Sequence, residues 1–275
     1  MNIAVASGKG GTGKTTVAIG LALTLKNNVE LIDCDVEAPN CHIFLKPQII
    51  SREDIYLTVP DVIESKCTYC AKCSDLCQFK AISVFGRNIM MFPELCHSCG
   101  GCFLVCPENA LVKSKRTIGV IEKGNSDNIS FMHGILRIGE AMSPPLIKAL
   151  KNLEQRNKIR IIDSPPGTSC PVVASVDGVD YCILVTEPTP FGFYDLKLIV
   201  GMLDKIHIPY GVIINRDTSE ISDVEKWCNE KKIPIHFKIP FNKKIAEDYS
   251  RGISLIKTMP EIKDSFLKLI EDIAV

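Results

Sequence analysis

Lys14 and Thr15 close a glycine-rich run, Gly8-Lys9-Gly10-Gly11-Thr12-Gly13-Lys14-Thr15, in which Gly8, Gly13, Lys14 and Thr15 satisfy Gly-x4-Gly-Lys-Thr. Those residue types in that order suit a nucleoside triphosphate. Backbone N–H groups of a glycine loop can approach phosphate oxygens, a lysine reaches the outer phosphates, and a threonine hydroxyl ligates Mg²⁺. Gly10, Gly11, Thr12 and Thr16 complete the set expected to face the nucleotide. The same stretch satisfies Gly8-x-Gly10-x-x-Gly13 with Asp33 further on, the pattern of a dinucleotide turn. The adjacent Lys14 and Thr15 decide against that alternative, because such a turn has no use for a phosphate lysine and a metal hydroxyl.

A second constellation is made of thiols. Eight of the 13 cysteines fall in two runs, Cys67-x2-Cys70-x2-Cys73-x3-Cys77 and Cys96-x2-Cys99-x2-Cys102-x3-Cys106-Pro107, offset by 29 residues. Structural zinc competes for any Cys-x2-Cys pair, but a repeated triplet-plus-one rhythm favours iron–sulfur ligation. The runs resemble those of two-cluster bacterial ferredoxins, in which the fourth cysteine of each run ligates the other cluster. That resemblance implies one [4Fe–4S] centre on Cys67, Cys70, Cys73 and Cys106, and a second on Cys96, Cys99, Cys102 and Cys77. The first run departs from the pattern at Gln78, where proline normally follows.

The elements that must hold these groups are also legible. Residues 2–6 form a short apolar strand, and Lys14 to Leu25 repeat apolar residues at helical spacing, so strand, loop and helix follow in the order a phosphate site needs. Tyr181–Thr186 and Tyr210–Ile214 are apolar runs bounded by turn residues and followed by helical patterns, as in a parallel sheet. The expected fold is α/β: a doubly wound, mostly parallel sheet with an inserted α+β ferredoxin-type domain. The division is 1–57 and 116–275 for the nucleotide domain and 58–115 for the insertion. Removing the insertion leaves about 215 residues, normal for one α/β domain.

Composition narrows the partners. Lysine plus arginine equals aspartate plus glutamate at 32 each, so no global field points to nucleic acid or an anionic membrane. The chain enters a strand from Met1 without a leader pattern and has no run of about 18 apolar residues, which predicts a cytoplasmic protein without stable membrane insertion. The last helix, Glu261 to Ala274, has a mixed-charge polar face without basic excess and is expected to pack on the sheet.

Lys9, one residue after the first glycine, gives the loop a resemblance to the MinD and nitrogenase iron protein superfamily. The likeness continues through Asp33-Cys34-Asp35 and Ile161-Ile162-Asp163-Ser164-Pro165-Pro166-Gly167-Thr168. It implies that Lys9 crosses a homodimer interface to the partner's nucleotide when ATP binds, and that Asp35 orients the attacking water. It further implies that Asp163 holds Mg²⁺, that Gly167 lets the following loop respond to the γ-phosphate, and that Asn215 recognises adenine. A plain turn role for Asp33 stays open beside these. Gly134 to Glu140 and Glu187 to Gly192 are similar to members of this superfamily that carry an inserted ferredoxin module. Of the remaining cysteines, Cys182 and Cys228 are expected to be buried hydrophobes. Cys170, seven residues after Asp163, is either a thiol near the dimer axis or a packing residue.

These readings converge on an Mg-dependent ATPase coupled to electron transfer through two [4Fe–4S] clusters, with a redox or cofactor-assembly protein as partner. The alternative is an ATP-dependent scaffold or maturation factor for metal cofactors. A third, spatial positioning of other proteins in the manner of MinD, gives the clusters no task.

Overall fold

The computed structural model describes residues 1–153, 159–218 and 221–274. In chain order the first elements are β1 (Asn2–Ala6), α1 (Lys14–Leu25), β2 (Val29–Asp33), α2 (Cys41–Leu45) and β3 (Gln48–Val62). The cysteine-rich stretch holds α3 (Lys72–Leu76), β4 (Ile82–Phe85), β5 (Asn88–Met91) and α4 (Gly101–Val105). Then come β6 (Leu111–Ser126), β7 (Ile129–Leu136), α5 (Pro144–Lys151), β8 (Ile159–Asp163), α6 (Cys170–Val176), β9 (Tyr181–Thr186) and α7 (Pro190–Ile206). The chain finishes with β10 (Tyr210–Asp217), α8 (Asp223–Lys231), β11 (Ile235–Pro240), α9 (Lys243–Ser250), α10 (Leu255–Thr258) and α11 (Ile262–Ile273).

Nine strands form one sheet in the order β11-β10-β9-β1-β8-β2-β7-β6-β3. Pairing is parallel from β11 to β7 and antiparallel where β6 meets β7 and β3. The central strands are continuous apolar runs because both faces are covered. One core joins Ala4, Ile32, Ile162 and Leu184 to α5, α6 and α7, and the other joins Ile3, Leu31, Ile161 and Ile183 to α1, α10 and α11. On the second face a Cβ at Gly20 would stand 2.8 Å from the Phe266 ring, so the glycine lets α1 approach α11. In-register pairing sets Val5 beside Asp163, and Asp33 beside Asp163, which brings two acids to the carboxyl edge next to the phosphate loop.

The antiparallel edge carries the cysteine-rich stretch. β3 and β6 are 15 and 16 residues long and pair down to Val62 opposite Leu111. Both run unbroken through the expected domain junctions at 57/58 and 115/116, where Leu57 faces Arg116 and Thr58 faces Lys115. The thiol-bearing residues therefore stand at the tip of a two-stranded ribbon continuous with the sheet. Within them the 29-residue offset recurs in the backbone. Tyr69 and Ser98, Ala71 and Gly100, and Lys80 and Asn109 are three pairs at positive φ, and α3 and α4 occupy equivalent places.

Candidate functional site

The loop from β1 to α1 turns twice through positive φ, at Gly11 (79°) and Gly13 (98°), which glycine adopts without strain. Gly8 packs so tightly on α7 that an added Cβ would lie 2.2 Å from the Asp195 carbonyl oxygen. A Cβ at Gly13 would lie 2.4 Å from Asn215 Nδ2, which donates to the Thr12 carbonyl at 2.7 Å. Both glycines are thus demanded by close approach, one from a helix and one from the end of β10. Gly10, Gly11, Gly13, Lys14, Thr15, Thr16, Asp35 and Asn215 line a cleft of about 410 Å³. Its far wall is Pro240, Phe241, Ile245 and Tyr249, an apolar and aromatic surface suited to a planar base.

Beneath the loop lies an acidic cluster. Thr15 Oγ1 donates to Asp163 Oδ2 at 2.6 Å, and Cys41 Sγ stands 3.4 Å from the same oxygen. Asp33, Cys41 and Asp163 bring ligand atoms within 4.8 Å of one another, all buried. Burial, then the negative charge of Asp33, pushes the Asp163 carboxyl up to about 7, against the pull of the Thr15 hydrogen bond and the Lys14 ammonium. Burial and then Asp33 raise Asp35 to about 6. Burial also raises Asp33, opposed by N–H groups of Cys41, Asn40 and Asp35. Lys14 is lowered by desolvation, with Asp163, Asp35 and Asp33 pulling it back. Asp163 Oδ1 is buried with no hydrogen-bond partner. An orphaned acceptor among carboxylates that resist ionisation is what a site for a hard divalent cation looks like before the cation arrives, so the residues fit Mg²⁺.

The sign of this linkage is testable. Asp163 binds its proton more tightly folded than unfolded, so its contribution to stability is complete below about pH 4 and is lost as pH rises towards 7. In EDTA without nucleotide, the stability of native protein relative to Asp163→Asn should therefore fall between roughly pH 4 and 7. Urea denaturation across that range checks it, and saturating Mg²⁺ with nucleotide should reverse the trend.

The remaining expected residues are placed as follows. Gly167 sits at φ 98° and its N–H donates to the Ser7 carbonyl at 3.0 Å, tying the loop after β8 to the phosphate loop. Lys9 points away from its own cleft, with Nζ 3.2 Å from Glu187 Oε2. Arg216 Nη1 holds the other oxygen of Glu187 at 2.5 Å. Asn215 has its Oδ1 engaged by the Arg216 N–H and one amide hydrogen by Thr12, leaving a single donor for a base. Asp33 accepts from the N–H groups of Asp35, Asn40 and Cys41, so the plain turn role is observed. Cys182 and Cys228 are buried, whereas Cys170 is exposed at the start of α6. Glu187 lies in the Glu187 to Gly192 stretch, but nothing local in the sequence pairs it with Lys9, and nothing local marks Phe241, just after β11, or Tyr249, in α9, as cleft residues.

The eight repeat cysteines line two cavities. Cys67, Cys70, Cys73 and Cys106 surround one. Cys77, Cys96, Cys99 and Cys102 surround the other, and Cys73 borders both. None of them is joined in a disulfide. N–H groups point at sulfur from Ala81 to Cys77 (3.3 Å), Ala110 to Cys106 (3.2 Å) and Ser98 to Cys96 (3.4 Å). The first two are equivalent under the 29-residue repeat. Among the described residues, no three of these sulfurs fall within 4.8 Å of one another. A tetrahedral zinc would hold its thiolates about 3.8 Å apart. N–H···S bonds of this kind are among the devices that set the potential of an iron–sulfur group where one is held. Phe79 and His97 stack at 3.5 Å between centroids beside the second cavity.

A parallel sheet with a phosphate loop after its central strand, and acids at the ends of the two strands beyond, defines a doubly wound nucleotide-binding domain. Residues 3–256 match the CobQ/CobB/MinD/ParA nucleotide binding domain, and the chain belongs to that family. It is 34% identical over 267 residues to the Methanocaldococcus jannaschii protein designated "Uncharacterized protein MJ0579", covering 94% of this chain and 92% of that one. The iron-sulfur cluster carrier protein of Pyrococcus horikoshii is 25% identical across 98% of this chain and 84% of its own length. Among solved structures, the septum site-determining protein MinD of P. horikoshii, complexed with Mg-ADP, superposes with a TM-score of 0.59 at 21% identity. That alignment covers 99% of this chain and 95% of MinD. Among the described residues, no helix is long and apolar enough to cross a membrane.

Proposed function

We propose that this chain is a cytoplasmic ATP-hydrolysing iron–sulfur protein that works as a nucleotide-gated homodimer, coupling ATP to electron delivery through two [4Fe–4S] clusters to a partner protein or metal centre. The observation that carries this reading is the placing of eight cysteines around two adjoining cavities, four on the first and the other four with Cys73 on the second, at the tip of a ribbon continuous with the sheet that bears the phosphate loop. Residues 58–115 act as the electron-handling domain, and 1–57 with 116–275 as the ATPase.

In the ATPase half, phosphate oxygens are cradled by the N–H groups of Gly10 to Thr16, and Lys14 offsets their charge. Thr15 and Asp163 are the residues that would hold Mg²⁺, which when bound neutralises charge developing on the phosphates. Asp35 lines the cleft and orients the attacking water. Phe241 and Tyr249 flank the base, with Asn215 offering its free amide hydrogen. Lys9 leaves Glu187 and reaches the nucleotide of the second subunit, closing the dimer. The two thiolate sets would hold the clusters, each a one-electron carrier, and their common border at Cys73 keeps the carriers adjacent.

The test is the steady-state ATPase rate of anaerobically prepared protein with its clusters oxidised and then reduced. A severalfold change is expected, because two coupled sites share a free energy. Equal rates would overturn the coupling. Lys9→Ala should abolish ATP-dependent dimerisation at unchanged iron content, read by light scattering and iron assay. A variant that still dimerises would overturn the role given to Lys9.

The likeness to iron-sulfur cluster carrier proteins favours a second reading, an ATP-dependent scaffold or maturation factor for metal cofactors. It predicts ATP-dependent passage of iron from this chain to an apo-acceptor, and failure of that transfer would remove it.

A further inference from the structure

Between the nucleotide cleft and the second cysteine set runs a chain of polar contacts. Asp35 begins a turn in which the Ala38 N–H donates to the Asp35 carbonyl at 3.0 Å, and the Leu136 N–H reaches the Val36 carbonyl at 2.9 Å. From the same turn Glu37 Oε1 accepts from Ser143 Oγ at 3.1 Å. Ser143 ends a loop, residues 137–143, whose Glu140 is buried. Glu140 accepts from the Met142 N–H at 3.0 Å and pairs with Arg116 Nη1. Arg116 in turn donates through Nη2 to the carbonyl of Cys96 at 3.3 Å. The loop is thus tied at Ser143 to Glu37, two residues after the cleft-lining Asp35, and at Glu140, through Arg116, to the carbonyl of a thiol-bearing residue of the second cavity.

The middle of this chain is electrically unusual. The Arg116 and Glu140 side chains are 5% and 0% exposed, and Arg116 Nε has no partner. A desolvated ion pair contributes little net stability, since removing both charges from water costs about what their attraction returns. What it does is fix geometry and set a guanidinium against the Cys96 carbonyl, where the local field depends on how closely Glu140 neutralises it. A shift of loop 137–143 changes that neutralisation. Extra positive field favours the reduced, more negative state of any redox group held by Cys96, and a closer carboxylate disfavours it.

We propose that Arg116 and Glu140 are positioning residues that make the reduction potential of the cluster on Cys77, Cys96, Cys99 and Cys102 respond to nucleotide, through Ser143 and Glu37. This rests on the reading of the chain as an ATP-binding two-cluster protein. The first cysteine set has no such contact to loop 137–143 among the bonds of the described residues, so the two clusters should differ.

The experiment is a redox titration of the iron-loaded full chain followed by electron paramagnetic resonance, with and without Mg²⁺ and a non-hydrolysable ATP analogue. In native protein the analogue should shift the reduced-to-oxidised ratio of one cluster about tenfold, equivalent to about 59 mV for one electron. Ser143→Ala, which strands no buried charge, should cut that shift to under about a third, and Glu140→Gln should do likewise while raising the resting potential of that cluster. A full-sized shift in both variants overturns the proposal. So does an unmoved potential in native protein whose nucleotide binding is verified by calorimetry. Failure of the underlying reading is separately visible, as missing iron or missing nucleotide binding in native protein.

Discussion

In the Lys14→Ala variant, ATP turnover per KM is expected to drop by about 10²- to 10³-fold, the scale seen when one preorganised charge-stabilising donor is removed. Lys14 is 7% exposed and is the ammonium set against Asp163, Asp35 and Asp33, so alanine removes phosphate neutralisation and the positive charge beside three acids. With that charge gone, Asp163 and Asp35 should hold their protons to higher pH, and Asp163 should bind Mg²⁺ more weakly. Lys14→Arg keeps the charge but spreads it over a planar fork in place of a compact ammonium, so rescue should be poor. Steady-state kinetics with Mg²⁺ titration checks this, and a tenfold effect or less would show that Lys14 lies off the reaction path.

Cys77→Ser should cost the chain one of its two clusters, with Cys96, Cys99 and Cys102 losing their iron and Cys67, Cys70 and Cys73 keeping theirs. Cys106→Ser should do the reverse. The crossed outcome follows from cavity lining, because Cys77 borders the space of the second triplet and Cys106 that of the first. The local consequence should be large. Few residues of the tip are buried, among them Val59, Ala81, Ile82 and Leu111, and so small a core would draw much of its stability from metal held by the thiolates. Hydrogen exchange should show residues 64–110 losing protection in the double variant while β1, β8 and β9 stay protected. Iron content and resonance spectra of each single variant read the assignment. Loss of the cluster on its own triplet would mean that the sets are not crossed.

How much of this was legible in advance depended on whether the signal was local. α1 begins at Lys14 and ends at Leu25 as expected, because glycine loop, phosphate lysine and apolar run all lie within one window. It is not the amphipathic helix that spacing suggests: Val17 to Ala22 are all buried, since the sheet covers one side and α10 and α11 the other. β9 likewise spans Tyr181–Thr186. α11 is one residue shorter at each end than expected, ordinary fraying at caps. β10 runs on to Asp217 because β11 pairs with it there, a partner no local pattern announces. The β3–β6 ribbon was missed for the opposite reason. Ser51-Arg52-Glu53-Asp54 is polar and solvated, so its order comes from cross-strand bonds to residues about 70 positions away, such as Arg52 to Glu122. The site divides in the same way. The phosphate loop and the thiol runs are contiguous motifs, whereas Glu187 against Lys9, the aromatic wall at Phe241 and Tyr249, and Arg116 against Cys96 join residues far apart in sequence.

The unbroken β3–β6 ribbon has a mechanical meaning. Past β7, whose pairing with β6 begins at Gly119, only β3 and β6 continue, so the six residues from Leu57 to Val62 and their partners form a cantilever about 20 Å long. A beam fixed at one end turns a small rotation at its root into a larger translation at its tip. A tilt of about 5° would displace the thiol-bearing end by about 2 Å over that length. A ribbon of only two strands also twists more readily than a full sheet. The Arg116–Glu140 pair sits at the root of that arm, so any change in its geometry is magnified at the thiol-bearing end.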